Sequence, residues 1–330
     1  MAELHKVTSD EVGIRLDRWF KRHYPDVAHG MLEKWLRTGQ VRVNGKRVEA
    51  NLRLEDDQEI RVPPVAATAG TPSKVRPQPK PVDDKTQLML RHNVLHIDDH
   101  VIVLNKPAGL AVQGGTGMEH NHLDAMLGAL QYDAAERPKL VHRLDKDTSG
   151  ILVLGRTQAA TTKLTAAFRT REARKCYWAL VVGVPKVKQG RIDAALAKTM
   201  GTHKDKMAVD EEDGRSALTW FRVVDNLGRK AAWLEMEPRT GRTHQLRVHA
   251  TLLETPIQGD GKYGGVNAYL DGVEISRKLH LHARAIRMPH PGGGELFAIA
   301  PLPPHMVETF KLLGFSEADG GTPFAAFDDE

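Results

Sequence analysis

A single cysteine, Cys176, stands among 330 residues, and no apolar core of a secretory signal follows the N-terminal stretch MAELHKVTSDEVG. One thiol cannot make an internal disulfide, so an oxidising compartment is not expected and the expected location is cytoplasmic. Nor does any apolar run reach the roughly 18 residues that a membrane-spanning helix requires, which excludes one on length. Charge is present but unevenly placed. The formal net charge is +5, yet residues 316–330 contain Glu317, Asp319, Asp328, Asp329 and Glu330 and no Lys or Arg. Removing those five negative charges from +5 leaves +10 on the remaining chain. A basic body of this kind suits a polyanion such as RNA, or equally a solvated surface. The acidic end reads as a disordered tail over 316–330.

The length exceeds one typical domain. Six prolines fall between Val62 and Lys85, in a stretch almost devoid of large apolar side chains, so residues 63–85 read as a linker. It separates a small module, residues 1–62, from a larger one, residues 86–315. In the small module, Leu16, Trp19 and Phe20, then Leu32, Trp35 and Leu36, follow the i, i+3, i+4 spacing of amphipathic helices. The Asn-Gly pair of VRVNGKRV signals a hairpin, and QEIRV a further strand. Lys34, Arg37, Arg42, Lys46 and Arg47 cluster on these elements, where they meet phosphates or only solvent.

In the larger module, VLHIDDHVIVLNKPAGLAVQGG reads as a hairpin entering a Pro/Gly loop, residues 122–130 and 157–169 as helices, and ILVLG, CYWALVV, ALTWFRVV, AAWLEME and LFAIA as strands. Strands predominate without βαβ alternation. The fold class expected is therefore α+β, with a mostly antiparallel mixed sheet.

The densest polar constellation is HRLDKDTSG, residues 142–150, immediately before the apolar run ILVLG. A loop held on a rigid strand is a common seat of catalysis. Turn chemistry and a surface ion pair are the bland readings of its Asp145, Asp147, Thr148 and Ser149. Metal chemistry finds little support, because the pairs His244/His249 and His280/His282 make no convincing zinc set and the lone thiol sits in a strand. The glycines of QGDGKYGG fit neither a Walker loop nor a dinucleotide fingerprint and read as turns. Alternation along KCYWALVV puts Tyr177 and Trp178 on opposite faces without saying which one meets a site.

HRLDKDTSG before an apolar strand, with NKPAGLAVQGG, KCYWALV, RTGRTHQLRVH, PIQGDGKYGG and LHLHA in the same order, resembles the RluA family of RNA pseudouridine synthases. WLRTGQVRVNGKRV resembles the centre of an S4 RNA-binding domain, borne by larger members of that family. The resemblance implies an isomerase that rebuilds uridines in large-subunit (23S) ribosomal RNA without a cofactor or metal. Its partner would be that RNA or a pre-ribosomal particle, with no membrane involved, and the acting species a monomer. It further implies that Asp145 is the catalytic carboxylate, that Tyr177 stacks on the detached base, and that Arg247 pairs with the aspartate. Arg143 and Leu281 would bind the flipped nucleotide, and Arg242 has no catalytic role. NKPAGLAVQGG and LHLHARAIRMPHP lie closer to the RluC type, THKDKMAV to the RluD type. A non-catalytic RNA-binding or ribosome-assembly factor is the alternative from another class.

Overall fold

The computed structural model describes residues 3–8, 11–64, 82–114, 121–199 and 206–328, and the chain divides into two compact units, residues 1–78 and 79–330. Most of the proline-rich stretch, residues 65–81, lies outside the described residues, as do residues 202–205 of THKDKMAV.

In the first unit the order is β1 (Glu3–Lys6), α1 (Leu16–His23), α2 (His29–Thr38), β2 (Arg42–Val43) and β3 (Glu59–Val62), with an antiparallel sheet ordered β1-β3-β2. The helical spacing is realised: Leu16, Trp19, Phe20, Leu32 and Leu36 are buried in one cluster with Ile60 and Val62. Gly39, at φ 72°, ends α2 in the left-handed conformation that glycine adopts without a Cβ penalty. The expected hairpin is smaller than its sequence signal. Asn44 and Gly45 do turn with positive φ, closed by a single Val43–Lys46 bridge, but β2 pairs with β3. Asn44 decides this, because its Oδ1 accepts from Glu59 N at 2.7 Å and its N–H donates to Glu59 O at 2.8 Å.

The second unit begins with α3 (Asp84–His92), whose first two residues fall in the stretch that composition assigns to the linker. Asp83 caps it by accepting from Thr86 N at 3.0 Å. There follow β4 (Val94–Ile97), β5 (Val101–Lys106), α4 (Leu123–Met126), β6 (Lys139–Leu140), β7 (Ser149–Gly155), α5 (Gln158–Thr170) and β8 (Arg174–Val182). Then come β9 (Gln189–Asp193), β10 (Leu196–Lys198), β11 (Met207–Val209), β12 (Leu218–Leu227), β13 (Ala231–Pro238), α6 (Gln245–Leu252), β14 (Leu281–Pro289), β15 (Glu295–Ile299) and α7 (Pro304–Leu313).

Among the described residues the main sheet runs β4-β5-β7-β14-β8-β13-β12-β9, with β15 added to β14 and β6 to β7. Only the β7–β14 pair is parallel, so the sheet is mostly antiparallel and the fold α+β. Strand β7, SGILVLG, is buried along its whole length, as a strand covered on both faces must be. The period of two sorts β8 cleanly. Trp178 and Leu180 pack with Trp233 and Phe310 on one face, while Ala179 and Val181 pack with Phe221 and Leu234 on the other, where Tyr177 also leans.

Residues 316–328 correct the expectation of a disordered tail. Phe324 and Phe327 are fully buried, Asp328 pairs with Arg174, and Gly320 O accepts from Arg222 at 2.7 Å. Net charge hid the aromatic residues between the acids, and burying large apolar rings outweighs the cost of ordering so short a segment.

Candidate active site

Asp145 lies in the loop between β6 and β7, and both of its flanks are tied down. On one side His142 accepts from Val153 N at 2.9 Å and stacks on Phe168 with ring centroids 4.3 Å apart. Burial, with Lys175 adding to it, holds the His142 pKa down at about 3, so this ring is a neutral acceptor. On the other side Thr148 N donates to Asp145 O at 3.2 Å, and Lys146 O accepts from Gly109 N at 2.9 Å and from Lys106 Nζ at 3.0 Å. Strand β7 leaves the loop through Gly150, where φ is +105° and a Cβ would fall 2.2 Å from Ala283 O. Only glycine permits β14 to approach that closely, and the approach places Leu281 beside the loop's cleft.

That cleft has a volume of ≈ 730 Å³ and is lined by Arg143, Asp145, Tyr177, Arg242, His244, Arg247 and Leu281 among others. Among the described residues eight Lys and Arg side chains border it, against Asp145 as the one carboxylate. Such an excess of positive charge around a concave wall concentrates anions. The side chain of Asp145 is 29% exposed, open enough to meet a ligand.

Arg247, on α6, reaches Asp145 with one nitrogen and is held by a second carboxylate. Its Nε and Nη2 donate to Asp260 at 2.7 and 2.6 Å, while Nη1 comes only to 4.0 Å from Asp145 Oδ2. Its main partner is thus Asp260, a buried residue that sequence reading passed over as part of a glycine turn. Burial opposes the guanidinium's charge, but hydrogen bonds to Asp260, then the charges of Asp260 and Asp145, raise its pKa on balance.

His244 is a second residue missed. It caps α6 from a left-handed conformation, φ 53°, an uncommon state for a non-glycine residue, and its Nε2 lies 3.8 Å from Asp145 Oδ2. The other ring nitrogen, Nδ1, is 2.6 Å from the Tyr263 hydroxyl, whose oxygen accepts from Met207 N at 3.0 Å. With its oxygen so engaged, the hydroxyl is set to donate to Nδ1, which favours the tautomer carrying its proton toward Asp145. Burial lowers the His244 pKa, partly countered by the charge of Asp145. A clue existed: His244 and Arg247 are three apart, one helical turn, and so share a face.

Lys106, at the end of β5, is the third. It is fully buried and donates to the carbonyls of Pro107, Leu110 and Lys146 at 2.9 to 3.0 Å. Burial pulls its pKa down to about 8, against the opposing charges of Asp147 and Asp145.

Tyr177 is half-buried on β8, opposite Ala283 of β14. Burial first, then the charge of Asp145, pushes its phenol well above the ordinary value, so it stays protonated. Leu281 is buried at the foot of β14, opposite Ala179. Arg143 is exposed and, among the described residues, makes a single long contact of 3.4 Å to Gln113. Arg242 borders the cleft while donating to Ser216 O at 3.0 Å. Asp147 is exposed in the turn after Asp145.

The histidines His249, His280 and His282, weighed in the sequence as metal ligands, are structural. His280 bonds Thr309, His282 bonds Ser149 and His249 bonds Thr219, each at 2.9 Å and each fully buried. No group of three or more His, Cys, Asp or Glu among the described residues has metal-holding geometry. In the first unit Lys34, Arg37, Lys46 and Arg47 are exposed. Arg42 is not available in the same way, because it is half-buried and donates to the carbonyls of Gly39 and Gly45 at 3.1 and 3.0 Å.

The family described as RNA pseudouridylate synthase matches residues 100–252. The Ribosomal large subunit pseudouridine synthase C of Rickettsia conorii is 36% identical over 83% of this chain and 89% of its own. The protein of the same name from Escherichia coli K12 is 35% identical over 90% of this chain and 92% of its own. Among solved structures, Human RNA Pseudouridylate Synthase Domain Containing 4 superposes with a TM-score of 0.58 at 31% identity, covering 70% of this chain and 96% of that one.

Proposed function

The chain belongs to the RluA family of RNA pseudouridine synthases, and on that premise we propose that it converts selected uridines of large-subunit ribosomal RNA to pseudouridine, with Asp145 as the nucleophile. The observation that carries this reading is the placement of Asp145. Among the described residues it is the one carboxylate on a cationic cleft shared with Tyr177 and Arg247.

Arg247 Nη1, held by Asp260, faces Asp145 Oδ2 at 4.0 Å and sets a fixed positive charge beside the attacking carboxylate. The carboxylate attacks C1′ of a uridine flipped into the cleft, and the N1–C1′ bond breaks. The detached uracil turns so that C5 faces the sugar, C5–C1′ forms as the carboxylate leaves, and a proton lost from C5 balances one gained at N1. A covalent intermediate divides one hard substitution into two easier steps. Nothing is consumed, so the balance calls for no nucleotide or redox co-reactant. Tyr177, protonated, stacks on the loose base, and Leu281 supplies an apolar wall. Flipping costs a few kcal/mol, which Arg143 offsets by filling the vacated stack.

The target is of the RluC type, read from ribosomal RNA or a pre-ribosomal particle by a monomer, and residues 1–62 act as an S4-like RNA-binding domain through Lys34, Arg37, Lys46 and Arg47. The relatives' names and the exposure of these cations support that reading. Mapping pseudouridine in ribosomal RNA from cells with and without the protein tests it. Sites in large-subunit RNA that vanish with the gene are expected; an unchanged map with RNA binding intact favours a non-catalytic assembly factor.

A further inference from the structure

The proposed mechanism uses only one of two cavities that meet at Asp145. A second, of ≈ 620 Å³, shares Asp145, Lys146, His244 and Arg247 with the first but is not bordered by Tyr177. Its further wall carries Lys262, Arg277 and Lys278. Five formal cations face two carboxylates there, Asp145 and Asp147. Arg247 is neutralised by Asp260, so the cations of this wall that bear on the argument are Arg277 and Lys278.

Arg277 and Lys278 are exposed, and neither has a carboxylate partner among the described residues. The Arg277 side chain and the backbone of both residues are nevertheless held in place. The Arg277 guanidinium lies 4.1 Å over the Tyr269 ring, which keeps its planar fork oriented. The backbone beneath the pair is pressed onto Gly259, where φ is +83° and a Cβ would fall 2.1 Å from Lys278 O and 2.8 Å from Arg277 O. Gly259 immediately precedes Asp260, so one short segment both orients Arg247 and anchors the two unpaired cations.

We propose that this second cavity seats the phosphodiester backbone of the RNA strand on one side of the target uridine, with Arg277 and Lys278 as its phosphate contacts. The inference rests on the pseudouridine synthase reading. A nucleotide whose base enters the first cleft keeps a phosphodiester on each side of its ribose, and its C1′ must reach Asp145, the wall common to both cavities. The strand needs a route away from a carboxylate that repels it. Two cations without a carboxylate partner among the described residues, one of them held over Tyr269, supply the route beside that carboxylate.

The test compares wild type with the double variant Arg277→Ala/Lys278→Ala on an RNA hairpin containing the target uridine. KM should rise about tenfold, equivalent to about 1.4 kcal/mol, with a smaller fall in kcat. The slope of log affinity against log salt should lessen by about 0.7 for each single-strand phosphate no longer neutralised. Arg277→Lys/Lys278→Arg, which keeps both charges, should restore most of the affinity. Trimming the RNA on one side of the uridine should erase the difference between wild type and double variant. A double variant with wild-type KM and slope, or a difference that persists whichever side is trimmed, overturns the proposal. Should the wild type bind RNA yet form no pseudouridine, the functional reading fails, and the cavity is judged on the salt slope alone.

Discussion

Arg247 and Asp260 form a bidentate, buried ion pair at 2.6 and 2.7 Å, and this pair, thirteen residues apart in sequence, aims the free Nη1 of Arg247 at Asp145. The aspartate of the catalytic loop is therefore served by an arginine whose orientation is set elsewhere.

Asp260→Asn should strand that guanidinium. Removing one partner of a buried pair costs about 3–5 kcal/mol, and the single-turnover rate should fall because Nη1 loses its aim. Adding Arg247→Met should recover much of the stability, since it removes the unpaired buried charge, but none of the rate. Urea denaturation and rapid-quench kinetics read the two effects separately. Recovery of the rate in the double variant would sink the assignment.

Asp145→Asn should abolish pseudouridine formation while RNA affinity stays within about tenfold, a change of about 1.4 kcal/mol. Asp147→Asn, exposed in the adjacent turn, should leave the rate near wild type. Both variants need a check of folding by circular dichroism. A folded, fully active Asp145→Asn protein defeats the mechanism, and two inactive proteins remove the ground for choosing Asp145.

Lys106→Met should deprive three carbonyls of a donor, of which Lys146 O alone keeps another, from Gly109. Each buried acceptor left open costs about 1–3 kcal/mol. The pH dependence has a definite sign. Between the folded pKa of about 8 and the unfolded value of 10.5, the folded lysine has released a proton that the unfolded one still holds, so Lys106 adds a rise in stability with pH. Across that window the variant should lose this contribution, at most about 1.4 kcal/mol per pH unit. Equal slopes for variant and wild type in urea titrations at pH 8 and 10 would show that Lys106 is not the titrating group.

Tyr263→Phe removes the hydroxyl between Met207 N and His244 Nδ1, at a cost of about 1–3 kcal/mol for the amide left without its acceptor. Turnover should fall less than in Asp145→Asn, because the carboxylate remains. A pH–rate profile identical to wild type would indicate that His244 takes no part in tuning the site.

Removing residues 1–62 should weaken RNA binding and flatten its salt dependence, by about 0.9 in slope for each duplex phosphate that the first unit had neutralised. Measuring affinity across a salt series decides it. An unaltered slope would mean that the first unit binds something other than RNA.

Features governed by short-range rules were legible from sequence alone: the helices of the first unit, the strands of the main sheet, the opposed faces of Tyr177 and Trp178, and the motif around Asp145. Spacings of two and of three to four residues are imposed by the backbone itself, so they survive without knowledge of the rest of the chain. What surrounds Asp145 was decided only by the tertiary structure. His244, Tyr263 and Asp260 reach the site because α6 and the turn after it fold beside the β6–β7 loop, and Lys106 reaches Lys146 O across forty residues of chain. The same holds for residues 316–328, whose acids suggested disorder until Phe324 and Phe327 found a place in the core. An ion pair or a buried ring is stabilised by its desolvated surroundings, and which groups supply them depends on distances through space that local sequence does not encode.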